Sequence, residues 1–222
     1  MTTELIKLGA EFVGITKEEF KNRMNNNPER AINDWNKYGI IEYDKHTDAN
    51  IYGLVGFNDD ERIDNIIHYI RNVSGKNILD FGGGIGTISR KLEEQGNTVY
   101  YYDIPSRTQN FAIFLTKKLN YNTIFLKAEE VDKRKYDIII TADVLEHLIN
   151  PLTYVKVLHE LLVPGGIWIT TGLNFSVGSH TPMHLEENTR FLKTHNEFFN
   201  KYYRTQYLHV TPKEIIYGCV KR

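Results

Sequence analysis

Cysteine is all but absent from this chain: Cys219 stands alone among 222 residues, so no intramolecular disulfide is available and an apolar core must hold the fold. Its setting, Glu214-Ile-Ile-Tyr-Gly-Cys-Val220, reads as a strand, and a lone thiol suits a reducing cytoplasm. Surplus charge is missing too. Lys and Arg number 27 against 28 Asp and Glu, a formal net charge of -1, so no global positive field gathers phosphates and a nucleic-acid partner is disfavoured. Nor does any apolar run approach the length that crosses a bilayer. The first residues, Met1-Thr-Thr-Glu-Leu-Ile-Lys-Leu8, lack a basic region followed by an apolar stretch, so neither secretion nor a membrane span is expected.

What is present is an ordinary globular composition, 41% hydrophobic and 25% charged, in a length that fits one α/β unit with a modest addition. The chain changes character near Asp59. Residues 1–58 read as an N-terminal lid of helix and loop, and residues 59–222 as the catalytic domain, the two forming one structural unit. In the front section Thr16 and Glu19 have capping-box spacing ahead of a helical stretch to about Trp35, which Pro28 breaks or restarts. From Tyr38 to Phe57 the chain reads as loop. Its Tyr38, Tyr43, Tyr52 and Phe57 either anchor that loop on the core or wall a substrate pocket.

Beyond Asp59, Ile63, Ile66, Ile67 and Ile70 mark one buried helix face behind the acids Asp59 and Asp60. Five apolar runs follow, Asn77 to Phe81, Thr98 to Tyr102, Thr123 to Leu126, Tyr136 to Thr141 and Ile167 to Thr171, with helical segments around Ile88 to Glu94, Asn110 to Leu119 and Leu152 to Leu162. Strands apolar throughout and separated by helices imply a parallel sheet covered on both faces. Tyr202 to Val210 and Glu214 to Val220, separated by a short turn, should pair as an antiparallel hairpin. The expected fold is therefore a Rossmann-like, doubly wound seven-stranded sheet, mostly parallel with a C-terminal antiparallel hairpin, plus the helical lid.

The strongest chemical signal is Ile78-Leu-Asp-Phe-Gly-Gly-Gly-Ile-Gly-Thr87, a strand running into glycines at 82, 84 and 86. Such a turn brings backbone close to a ligand, and the helix that follows presents oriented N–H groups. A dinucleotide G-x-G-x-x-G pattern starting at Gly82 needs a glycine where Thr87 stands. The chain has G-x-G-x-G behind Asp80 instead. An acid there repels a pyrophosphate but suits an ammonium and a sulfonium, which points to S-adenosylmethionine. Seventeen residues after Gly86, Asp103 closes the second apolar run, where a carboxylate can accept both ribose hydroxyls.

These residues resemble those of the class I S-adenosylmethionine-dependent methyltransferases, particularly the small-molecule branch of quinone-biosynthesis and natural-product methylases. The likeness runs from Asn77 to Gly166 and more loosely to the end. It implies that Asp80, Gly82, Gly84 and Gly86 form the first cofactor motif and that Asp103 and Ile104 hold ribose and flank adenine. Lys127-Ala-Glu-Glu130 falls where the family contacts the adenine amino group; with Lys127 in the customary acidic position, the contact passes to Glu129 or the Ala128 backbone. Tyr136 to Leu148 resembles the fourth strand and its turn, and Val163-Pro-Gly-Gly166 the turn before the fifth. The resemblance also places a carbonyl of Thr141 or Ala142 opposite the methionine amino group.

For acceptor chemistry the candidates are His184 and His180, in the loop Asn174 to His184 after the fifth strand, and His147, whose Leu-Glu-His setting recurs across the family and reads rather as structural. Two histidines four apart could also bind a metal with Glu186 or His195, but Pro182 argues against a helical pair and no metal is expected. The expected activity is in-line methyl transfer from S-adenosylmethionine to a small-molecule acceptor, leaving S-adenosylhomocysteine. A non-catalytic cofactor-binding partner and a nicotinamide-dependent oxidoreductase stay open beside it. The sequence leaves the acceptor and the oligomeric state undetermined.

Overall fold

The computed structural model describes residues 2–171, 188, 191–211 and 214–222. Among these, five helices precede the first strand. Leu5 and Leu8 bury one face of α1 (Thr2–Val13). Thr16 caps α2 (Lys17–Asn25) by accepting the Glu19 N–H at 3.1 Å. Pro28 opens α3 (Asn27–His46), where its missing N–H costs nothing, and α3 bends at Gly39, φ 68°. After α4 (Ala49–Gly56), Asp60 caps α5 (Glu61–Tyr69).

The section Tyr38 to Phe57, expected as loop, is thus mostly helical. Its apolar face is split between the last part of α3, beyond the bend at Gly39, and the short α4, which meet at Thr47 and Asp48, so no single window of sequence shows the period. Tyr43, Ile51, Tyr52 and Val55 are buried, which favours the anchor reading for Tyr43 and Tyr52, whereas Phe57 is exposed. Ile51, Tyr52 and Val55 share a core with Leu5 and Phe20 and with Phe111 and Leu115 of the α/β part, so the front section and the sheet domain are packed as one body.

The remaining elements follow as β1 (Asn77–Phe81), α6 (Thr87–Glu94), β2 (Thr98–Tyr102), α7 (Arg107–Lys118), β3 (Ile124–Phe125), α8 (Ala128–Val131), β4 (Tyr136–Thr141), a 3-10 turn (Leu145–His147), α9 (Pro151–Leu161), β5 (Leu162–Thr170), α10 (Phe191–Tyr202), β6 (Tyr203–Thr211) and β7 (Glu214–Lys221). The helices α1 and α10 were not foreseen. The strand order is β3-β2-β1-β4-β5-β7-β6, with β1 to β5 parallel and the β6–β7 hairpin antiparallel. Alternation along each strand explains the two covered faces. Ile78, Ile138, Ile140 and Ile169 face α5 and α6, while Leu79, Ile139 and Trp168 face α9 and α10. The chain leaves β1 towards β2 and β3 and then returns to its other side at β4. The crevice at the carboxyl ends of β1 and β4 is therefore the topological switch point where open α/β sheets bind ligands.

Candidate cofactor-binding site

At that crevice the glycine turn is fixed by packing as much as by backbone freedom. Gly84 adopts φ 55°, a left-handed conformation that side chains resist. Gly82 donates to the Tyr102 carbonyl at 2.7 Å, and a Cβ on it would lie 2.4 Å from Val144. Gly83, which the spacing did not single out, is equally constrained: a Cβ there would lie 2.5 Å from the Tyr101 ring. The buried Tyr101 hydroxyl donates to the Gly84 carbonyl at 2.6 Å, tying the turn to β2.

Asp103 stands at the end of β2 with an edge on the crevice. Its Oδ2 accepts the Gly84 N–H at 2.8 Å and lies 3.4 Å from the Tyr101 hydroxyl, while its Oδ1 accepts the Ile104 N–H at 2.7 Å, which leaves a lone pair of Oδ1 for a ligand. Burial pushes its carboxyl up to about 7, against the pull of the two N–H bonds and with help from the negative charges of Asp44 and Asp80. Ile104 beside it is 46% exposed, an apolar surface fit to lie against a flat base.

Asp80 is not at the surface of the crevice. It lies beneath the glycine turn, 1% exposed, accepting the Ser89 hydroxyl at 2.6 Å, and burial pushes it up to about 6. Its Oδ2 faces the underside of the turn, 2.9 Å from where a Cβ on Gly83 would lie. Further along, the Lys127 N–H donates to Glu130 at 2.8 Å, so Glu130 caps α8 while Ala128 and Glu129 stay at the surface. Thr141 is buried, its hydroxyl accepting from the Trp168 indole at 3.0 Å and its carbonyl from the Thr171 N–H at 3.2 Å. That carbonyl is therefore engaged on one of its two lone pairs.

Of the proposed bases, His180 and His184 lie outside the described residues, as does Glu186. His147 is exposed on the 3-10 turn, which Asn188 braces by donating to the carbonyls of Glu146 at 3.0 Å and Leu148 at 2.8 Å. His195 is buried in α10. Among the described residues no group of three metal-ligating side chains comes together, and no helix is long and apolar enough to cross a membrane.

Sequence reasoning missed Arg62. From the first turn of α5 its guanidinium reaches across to Asp143 at 2.9 Å, at the carboxyl end of β4, while also holding Asp60. Asp143 itself sits at φ 52°, kept there by Thr171, whose hydroxyl accepts its N–H at 2.8 Å. An arginine just ahead of the glycine strand was the available signal. Missed too was the way the front section straddles the turn: Leu54 would meet a Cβ on Gly84 at 3.0 Å, Asp48 pairs with Arg107, and Asn58 accepts the Thr87 hydroxyl at 3.0 Å. Two cavities among the described residues lie away from this crevice, beside α10; chemistry and topology, rather than hollow volume, single out the glycine turn.

Comparison with known proteins agrees. The family described as a methyltransferase domain matches residues 57–210. The ubiquinone biosynthesis O-methyltransferase of Rickettsia prowazekii (strain Madrid E) is 31% identical over 148 residues, covering 63% of this chain and 54% of its own. The chain spans about half the length of the curated relatives it matches. Among solved structures, magnesium protoporphyrin IX methyltransferase from Synechocystis PCC 6803, with bound SAM, superposes with a TM-score of 0.56 at 19% identity over 88% of this chain and 97% of that one. A 16S rRNA methyltransferase from T. thermophilus, in complex with AdoMet and guanosine, does so with 0.54 at 18% identity over 72% and 42%. At these identities the structures speak for the fold alone. With the family match running over most of the chain, from residue 57 to 210, and the glycine turn and sheet order in place, the chain belongs to the class I S-adenosylmethionine-dependent methyltransferases.

Proposed function

We propose that this chain transfers the methyl group of S-adenosylmethionine to a small-molecule acceptor in the cytoplasm. The observation that carries the reading is Asp103, a carboxylate oriented by the Gly84 and Ile104 N–H groups with acceptor capacity left on Oδ1. The residues fit the cofactor: a diol for Asp103, a flat base for Ile104 with Ala128 and Glu129 beyond, and an amino group for the Ala142 or Thr141 carbonyl. When bound, the cofactor supplies a sulfonium-activated methyl group.

The chain's own work is alignment and exclusion of water, since the donor is intrinsically reactive. The glycine backbone sets the cofactor's depth, Asp103 its rotation, and Asp80 adds a negative charge beneath a positive ligand. The helices of residues 1–58 act as a lid, through Leu54 on the glycine turn and the Asp48–Arg107 pair. Where the acceptor must lose a proton, His184 is the first candidate base, with His180 beside it in sequence and His147 third. The ubiquinone-pathway relatives and the near-zero net charge favour a small acceptor over a nucleic acid. Incubation with methyl-labelled cofactor and a fractionated cell extract tests this: label should enter the small-molecule fraction, and label confined to RNA, or none transferred, contradicts it.

A further inference from the structure

On the flank of the sheet, α9 and α10 enclose an open groove of about 550 Å³. Leu152 and His159 of α9 and Phe198 and Tyr202 of α10 form its floor, each partly buried. Burial, with the positive charge of Lys221, lowers the His159 imidazole, so the floor is uncharged at pH 7. Four exposed charges stand on the rims, Lys156 and Glu160 on α9 and Glu197 and Lys201 on α10. None of them forms an ion pair among the described residues, and Lys201 lies over the Tyr202 ring, 4.9 Å from its centroid. Val157 adds an apolar surface, 46% exposed, to the outer side of α9, because its neighbours Val155 and Leu158 point into the core.

The order of these charges follows from the topology. β5 and β6 are each antiparallel to β7 and so run parallel to one another, with Ile167 and Arg204 sharing Val220 as a partner. α9 runs directly into β5 and α10 directly into β6, each doubling back on its own strand, so the two helices are parallel too. Lys156 and Glu197 stand at the same distance ahead of their strands, and Glu160 and Lys201 do so one turn later. The groove is thus bounded by corners of alternating sign. A two-fold axis in the plane of this face, whether along the helices or across them, brings each positive corner of one copy onto a negative corner of the other. The face is complementary to itself, as an isologous interface requires.

We propose that the α9–α10 face binds a second copy of this chain as an isologous dimer, its rim charges closing ion pairs around the two aromatic floors. Helices of 11 and 12 residues are about 17 Å long, a small face for a permanent assembly, so the dimer is weak, with a dissociation constant of about 1–100 µM. The crevice lies at the carboxyl ends of the strands, away from this flank, and stays open. Sedimentation equilibrium on the full chain tests the proposal, with Lys156→Glu plus Lys201→Glu as an acidic-faced variant and Glu160→Lys plus Glu197→Lys as a basic-faced one. All four positions are exposed, so both variants should keep the melting temperature of the unsubstituted chain. The unsubstituted chain should dimerise, each variant alone should associate at least about tenfold more weakly, and an equimolar mixture of the two should recover the dimer. A chain that stays monomeric at about 200 µM overturns the inference, including one whose groove takes up phosphatidylcholine vesicles instead. So does a dimer that both variants leave intact, or a mixture that associates no more tightly than either variant alone.

Discussion

The Gly84 N–H donates to Oδ2 of Asp103 at 2.8 Å, so one hydrogen bond joins the turn after β1 to the end of β2. The carboxylate is thereby oriented in advance of a ligand, which lowers the ordering cost of binding.

Replacing Asp103 with Ala should weaken S-adenosylhomocysteine binding by about 1.5–3 kcal/mol, the scale of hydrogen bonds to a charged group, with the fold intact. Calorimetry reads this directly. An unchanged dissociation constant moves the ribose contact elsewhere.

Affinity should also depend on pH. Burial raises the Asp103 carboxyl to about 7, so acid protonates it and removes an acceptor for the ribose hydroxyls. Binding should weaken as pH falls from about 8 to about 6, approaching tenfold per unit below the carboxyl's own value, with a proton released on binding. Asp103→Asn should flatten the profile. A flat profile in the unsubstituted protein contradicts the assignment.

Gly83→Ala should destabilise the fold by about 1–3 kcal/mol through overpacking, since its Cβ would lie 2.5 Å from the buried Tyr101 ring and 2.9 Å from Asp80. Gly84→Ala meets only the flexible end of Leu54 at 3.0 Å, and its φ of 55° adds about 1–2 kcal/mol of strain. Its larger effect should fall on cofactor binding. Thermal melts with and without ligand separate the two, and equal melts for both variants contradict the distinction.

The sheet was legible because apolar runs such as Tyr136 to Thr141 alternate with helical segments, and the glycine turn because its spacing excludes a dinucleotide pattern at Thr87. Contacts between distant residues were not. The Arg62–Asp143 pair spans 81 positions and leaves no local trace. The helix α1 did have a signal, with Leu5, Leu8 and Phe12 at helical spacing, whereas α3 and α4 divide their apolar face between them. Gly83 reads as a passenger until Tyr101 is seen against it.

The lid reading of residues 1–58 predicts that backbone amides of Tyr43 to Val55 exchange more slowly once S-adenosylhomocysteine is bound, because Leu54 rests on the glycine turn and Asp48 is anchored to Arg107. Hydrogen–deuterium exchange by mass spectrometry measures it. Equal rates in both states favour a static anchor.

Binding selectivity tests the central claim most directly, because the glycine spacing, Asp80 and Asp103 all bear on it. A ligand that binds only the folded state raises the melting temperature by mass action. S-adenosylhomocysteine should raise it in a concentration-dependent way while NAD leaves it unchanged; a rise with NAD and none with S-adenosylhomocysteine would contradict assignment of this crevice to S-adenosylmethionine.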